Sequence, residues 1–145
     1  LQTGMRRNEI LGLTWDRVDL DRKQIVLLGS MTKTKKSRVI PITNDVLNIF
    51  NAKINKTGKL FSYGEWTIYA RFQEAIKRSG LQHLTIHDLR HTFASLAAKQ
   101  GLTLQQVSVL LGHSTIAMTM RYSHLFRDDL HVAMQRMDGL LKIDG

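Results

Sequence analysis

At 145 residues the chain is long enough for one domain with a true core, and its lack of cysteine excludes disulfides and cysteine-ligated zinc. Lys and Arg number 21 against 12 Asp and Glu, giving a net charge of +9 and a pI near 10.2, a balance suited to a polyanionic partner, with nucleic acid ahead of an anionic membrane surface. No apolar run is long enough to span a bilayer, so no membrane-embedded role is expected.

The opening stretch LQTGMRRNEILGLTW predicts a turn at Thr3-Gly4 and then a short helix whose apolar side carries Ile10 and Leu13, with Met5 and Leu11 nearby. A domain seldom opens on the turn before a helix, and an upstream part of the parent protein is expected to be absent here. From Arg17 to Ile42 the pattern turns to β, with QIVLLG and SRVIPI flanking the basic connector MTKTKK. These pieces predict a small antiparallel sheet, with Pro41 at an edge or strand end where a missing amide donor is tolerated.

The remainder reads as helices. TNDVLNIFNAKINKTG opens on capping residues and closes on Gly58; EWTIYARFQEAIKRSG closes on Gly80. A helix from His87 to Gln100 ends before Gly101, with Leu89, Phe93, Leu96 and Ala97 on the face expected to be buried and His87, Arg90, His91 and Ala94 toward the other side. Thr103 with Gln106 forms a capping box for LQQVSVLLG, and Ser114 is placed to cap a helix over TIAMTMRY. A last amphipathic segment aligns Leu130, Met134, Met137 and Leu141. The fold class expected is mixed α+β, mainly α-helical, with a small antiparallel sheet packed on a helical bundle.

Within HDLRH, His87 and His91 stand one helical turn apart, the spacing of a zinc-binding pair. Arg90 shares nearly the same face as His87, and a cation there opposes a metal and suits a phosphate. Asp88 stands where a helical zinc protease would carry Glu, and spacing marks no third ligand. Metal is therefore not expected. Taken singly, the other polar residues have bland readings: Tyr122 as a half-buried packing residue, His113 as a helix-end cap, TKTKK as a solvated loop.

Taken in order, TGMRRNEILGL, MTKTKKSRVIPI, TIHDLRHTFAS and LLGHSTIAMTMRYSHL resemble the sequence blocks of the tyrosine recombinase (phage integrase) catalytic domain over nearly the whole chain. The resemblance assigns catalytic positions to Arg6, Lys33, His87, Arg90, His113 and Tyr122, with Glu9 as a supporting acid and His91 as an accessory of the motif. Lys35 and Lys36 stand close enough for a slipped turn to substitute one of them for Lys33.

The resemblance implies site-specific recombination or integration by DNA cleavage and religation through a 3′-phosphotyrosine on Tyr122. Arg6, Arg90 and His113 would bind the phosphate, His87 would accept the tyrosine proton, and Lys33 would protonate the leaving 5′ oxygen. No cofactor, metal or ATP is implied. The implied partner is double-stranded DNA, gripped by a homotetramer on two duplexes, in a cytoplasmic, DNA-associated setting. On this reading residues 1–145 are a C-terminal catalytic domain, and a core-binding domain lies upstream in the parent protein. Two rivals share the chemistry or the fold: a type IB topoisomerase, which rejoins the original strand, and a non-catalytic DNA-binding module.

Overall fold

The computed structural model describes residues 1–126 and 134–135. The stripe expected at Leu130, Met134, Met137 and Leu141 lies outside the described residues except for Met134, which is exposed.

Three strands form one antiparallel sheet in chain order: β1 (Val18–Asp19), β2 (Gln24–Leu27) and β3 (Arg38–Pro41). Ile25 stands opposite both Val18 and Ile40. Alternation along β2 and β3 turns Ile25, Leu27 and Ile40 into one core, where they meet Met5, Leu13, Trp15, Ile42, Phe50 and Leu60. Pro41 closes the edge strand β3 opposite Gln24, as expected of a residue without an amide donor.

Helix α1 (Arg7–Leu11) follows Gly4, whose φ of +60° forms the predicted turn and whose missing Cβ makes room for the Phe93 ring. Helix α2 (Asn44–Asn51) is capped by Thr43, which accepts from the Val46 N–H. It ends at Asn51 and not near Gly58. Ile54 beyond it is 97% exposed, so nothing apolar would anchor a longer helix. The backbone instead returns to the first core, with Trp15 N–H donating to Gly58 O at 2.9 Å and Leu60 N–H to Leu13 O at 2.8 Å.

Helix α3 (Glu65–Arg78) is followed by Gly80 in the left-handed region, as its sequence predicts. Its inner side, Ile68, Phe72 and Ile76, is only half-buried. Capping boxes start α4 (Ile86–Lys99) at Thr85 and Asp88, and α5 (Leu104–Leu111) at Thr103 and Gln106. Ala94, Ala97, Val107, Leu111 and Tyr122 form the second core between these helices and the turns that follow.

One expectation holds only in part and another fails. On α4, Ala97 is buried and Phe93 packs on the second core as expected, but Leu96 is 47% exposed and the buried face carries Arg90, Ala94 and Ala98 in addition. Small alanines let α5 approach closely, and Arg90 is taken inside because backbone carbonyls receive its guanidinium. The expected helix over TIAMTMRY is instead two 3₁₀ turns, Ile116–Met118 and Met120–Leu125. Residues three apart eclipse in 3₁₀ winding, so Thr119 and Tyr122 both turn inward toward α4 and α5. Ser114 donates to the Met118 sulfur and caps no backbone N–H.

Candidate active site

The site is organised by the C-terminal end of α5. A helix ends with carbonyls that have no intrahelical donor and carry the negative end of its dipole. Here three guanidiniums receive them: Arg38 Nε donates to Leu110 O at 3.2 Å, Arg90 Nη2 to Leu111 O at 2.5 Å, and Arg6 Nη2 to Gly112 O at 3.0 Å. Gly112 makes the arrangement possible. Its φ of +64° turns the chain out of the helix, and a Cβ would stand 2.5 Å from Arg38 Nη1.

Glu9, only 2% exposed, binds this cluster from the other side. Arg38 donates to both of its oxygens, at 3.0 and 2.7 Å, in a fork-to-fork pair, and Arg6 adds its backbone N–H at 2.8 Å and Nη1 at 3.1 Å. Burial alone would raise the Glu9 pKa; hydrogen bonds from Arg38 and Arg6 and the Arg38 charge outweigh it and hold the carboxyl below its ordinary value. Arg90, 5% exposed, also donates to Gly4 O at 2.7 Å. Burial first, then the Arg6 charge, lowers its pKa to about 10, leaving it protonated at neutrality. Arg6 and Arg38 thus bond one buried carboxylate whose charge Arg90 also feels, and Arg6 and Arg90 bring excess positive charge to a cleft of about 590 Å³.

All six residues nominated from the sequence line that cleft: Arg6, Lys33, His87, Arg90, His113 and Tyr122. Lys33 reaches it from the β2–β3 connector, whereas Lys35 and Lys36 do not line it. Thr32 holds the connector in shape, its hydroxyl lying 3.2 Å from Gly29 O and 3.0 Å from Lys36 O. A second groove of about 690 Å³ adjoins the first, running past Arg6, Lys33 and His87 toward Tyr69 and Gln73 of α3.

His113 directly follows the left-handed glycine, and its Nδ1 pairs with the fully buried Thr119 hydroxyl at 2.7 Å. Burial, reinforced by the charges of Arg90 and Arg6, lowers its pKa to about 4, so the ring is neutral at pH 7. Tyr122 is 7% exposed and belongs to the second core. Burial raises its pKa, against the charges of Arg121 and Arg90. Its hydroxyl is hydrogen-bonded to His91 Nδ1. His87 is exposed and sits edge-on to His91, ring centroids 4.8 Å apart.

Sequence reasoning passed over Arg38 and Thr119. Arg38 had a readable signal, since strand alternation places it on the same side as Ile40 while Val39 faces out. Thr119 had none, because its burial depends on the 3₁₀ winding.

A three-stranded antiparallel sheet set on helices, with this cleft between them, is the catalytic-domain fold of the tyrosine recombinases. The structure superposes on the catalytic domain of bacteriophage HP1 integrase with a TM-score of 0.73 and 31% identity, covering 92% of this chain and 74% of that one. The model of the phage integrase family matches residues 1–128, and the chain belongs to that family. Among full-length relatives, the tyrosine recombinase XerA of Saccharolobus solfataricus is 34% identical over 133 residues, covering 90% of this chain and 45% of the relative. The integrase of Haemophilus phage HP1 is 35% identical over 139 residues, covering 93% and 38% respectively. The chain therefore spans less than half the length of these relatives. Neither the topoisomerase reading nor the non-catalytic one gains support from these matches.

Proposed function

We propose that the chain is the catalytic part of a site-specific DNA recombinase or integrase that cuts and rejoins strands through a 3′-phosphotyrosine on Tyr122. The observation that carries this reading is the meeting of a tyrosine hydroxyl and an excess of guanidinium charge on one cleft. A phosphodiester is anionic, and attack at phosphorus adds charge to its non-bridging oxygens. Arg6 and Arg90, oriented by α5 and Gly4 carbonyls, offer their remaining N–H groups to those oxygens in fixed directions. In the tautomer whose Nδ1 accepts from the Thr119 hydroxyl, the His113 ring carries its proton on Nε2 and donates it to the same phosphate. Lys33 delivers a proton to the departing 5′ oxygen from the edge of the cleft.

The phosphotyrosine bond conserves the energy of the broken phosphodiester, so religation needs no ATP, and the guanidiniums supply the charge that a metal would otherwise bring. Double-stranded DNA is the partner. Exchange between two duplexes breaks four strands, each by its own tyrosine, which calls for a homotetramer.

Strand exchange and relaxation separate the rival chemistries. The full-length parent protein, given labelled duplexes and supercoiled plasmid drawn from one sequence library, is expected to yield joined products from different duplexes. Arg90→Lys should lower the cleavage rate about 100- to 1,000-fold while retaining the charge. Relaxation of plasmid with no exchanged product would support a topoisomerase. DNA binding with neither outcome would support the non-catalytic module.

A further inference from the structure

The exposed His87 and the half-buried His91 are both candidates to receive the Tyr122 proton, and the geometry separates them. Tyr122 makes its hydrogen bond to His91 Nδ1, with the ring centroids 5.7 Å apart and the planes at 49°. Among the described residues the Tyr122 hydroxyl makes no hydrogen bond to His87; that ring instead stands at 86° to His91. The hydroxyl cannot turn to another acceptor cheaply, because its ring is packed in the second core among Ala94, Val107 and Leu111. We propose that His91, through Nδ1, accepts the Tyr122 proton as the phenolic oxygen attacks phosphorus, and that His87 supports the His91 ring.

This rests on the reading of Tyr122 as nucleophile. The Oη–H bond breaks and its proton passes to Nδ1. The oxygen's electron pair forms the bond to phosphorus while the P–O5′ bond breaks toward the leaving oxygen, which collects its proton from Lys33. In religation the imidazolium returns its proton to Tyr122. An acceptor must be neutral before the step, and the surroundings keep it so. Burial lowers the His91 pKa, helped by His87 and Arg121 and opposed by Asp88. On its own helix His91 is faced by His87, Asp88 and Arg90; Arg121 and Tyr122 face it from the turn Met120–Leu125, and Arg6, Lys33 and His113 share the cleft.

The test is single-turnover cleavage of a nicked suicide duplex by the full-length parent and its His91→Asn and His87→Asn variants, across pH 5 to 9. His91→Asn keeps a hydrogen-bonding group but no basic nitrogen, so DNA affinity should hold while the rate falls about 100- to 1,000-fold. Its rate should then climb steadily into alkali, without the plateau that the parent reaches once His91 is neutral. His87→Asn should lose less and keep that plateau. If His91→Asn proves less stable, His91→Gly with added imidazole replaces it, and recovery of cleavage is the expected result. The proposal is overturned if His91→Asn cleaves within about twofold of the parent with the same pH profile, or if only His87→Asn changes it. Failure of the nucleophile assignment looks different: Tyr122→Phe would then cleave as well as the parent.

Discussion

Glu9 is the only carboxylate at the guanidinium cluster among the described residues, and Glu9→Gln removes that charge with almost no change of shape. The amide oxygen can still accept from one arginine, but its NH₂ faces donors where the carboxylate offered a second acceptor. Arg38, with 6% of its side chain exposed, then keeps a buried charge without a counterion. Breaking a buried pair from one side costs about 3 to 5 kcal/mol, a large share of the 5 to 15 kcal/mol typical of a domain. Urea unfolding should therefore show a loss of unfolding free energy of that size for the variant relative to the parent at neutral pH.

The pH dependence carries a second signature of the same pair. Glu9 titrates below its ordinary 4.5 in the folded state, so its contribution is fully present above that value and is lost as pH falls toward the folded pKa. The parent should lose stability in that window more steeply than Glu9→Gln, whose amide does not titrate. A double-mutant cycle with Arg38→Met isolates the pair, and a coupling of about 1 to 3 kcal/mol is expected. A variant within about 0.5 kcal/mol of the parent, with an unchanged acid limb, would refute the claim that Glu9 holds the cluster together.

Three further outcomes follow from the cleft. Lys33→Ala should be rescued selectively by a DNA substrate with a 5′-bridging sulfur, a leaving group that hardly needs protonation; rescue that tracks Lys35→Ala or Lys36→Ala would move the general acid along the connector. Gly112→Ala should destabilise more than Gly80→Ala in urea unfolding: both pay about 1 to 2 kcal/mol for the left-handed backbone, but only Gly112 has the Arg38 guanidinium in the way, and equal costs would contradict that contact. His113 is neutral in the folded state down to about 4 but titrates at 6.5 when unfolded, so stability should fall as pH drops across that interval. His113→Asn should flatten the fall, and an unchanged slope would show that the ring is not held neutral.

What the sequence makes legible is what local rules govern. The capping boxes at Thr85 and Thr103, the glycine after α3, the inward alternation of Ile25 and Ile40 and the order of the four motif blocks all depend on neighbours within a few residues. The buried face of α4 did not follow from hydrophobicity, because Arg90 is held inside by carbonyls contributed from Gly4 and Leu111, 86 and 21 residues away in sequence. The same holds for the shape of the Tyr122 segment. A helical reading suits its residues, but the burial of Thr119 beneath His113 and of Tyr122 against α4 favours the tighter winding. The six residues that line the cleft were nominated through motif order; of the groups that orient them, Arg38 is foreshadowed by the alternation of β3, whereas Thr119 became visible only once the chain was folded.

As the nucleophile, Tyr122 becomes covalently joined to DNA, and mapping that bond identifies the attacking residue. The full-length parent would be incubated with a pooled library of nicked duplexes, denatured, and digested with nuclease and protease, and the peptides read by mass spectrometry. A nucleotide joined through a 3′ phosphate to the peptide containing Tyr122 is expected, with no adduct from Tyr122→Phe. A nucleotide on another residue, or an adduct that survives Tyr122→Phe, would contradict that assignment.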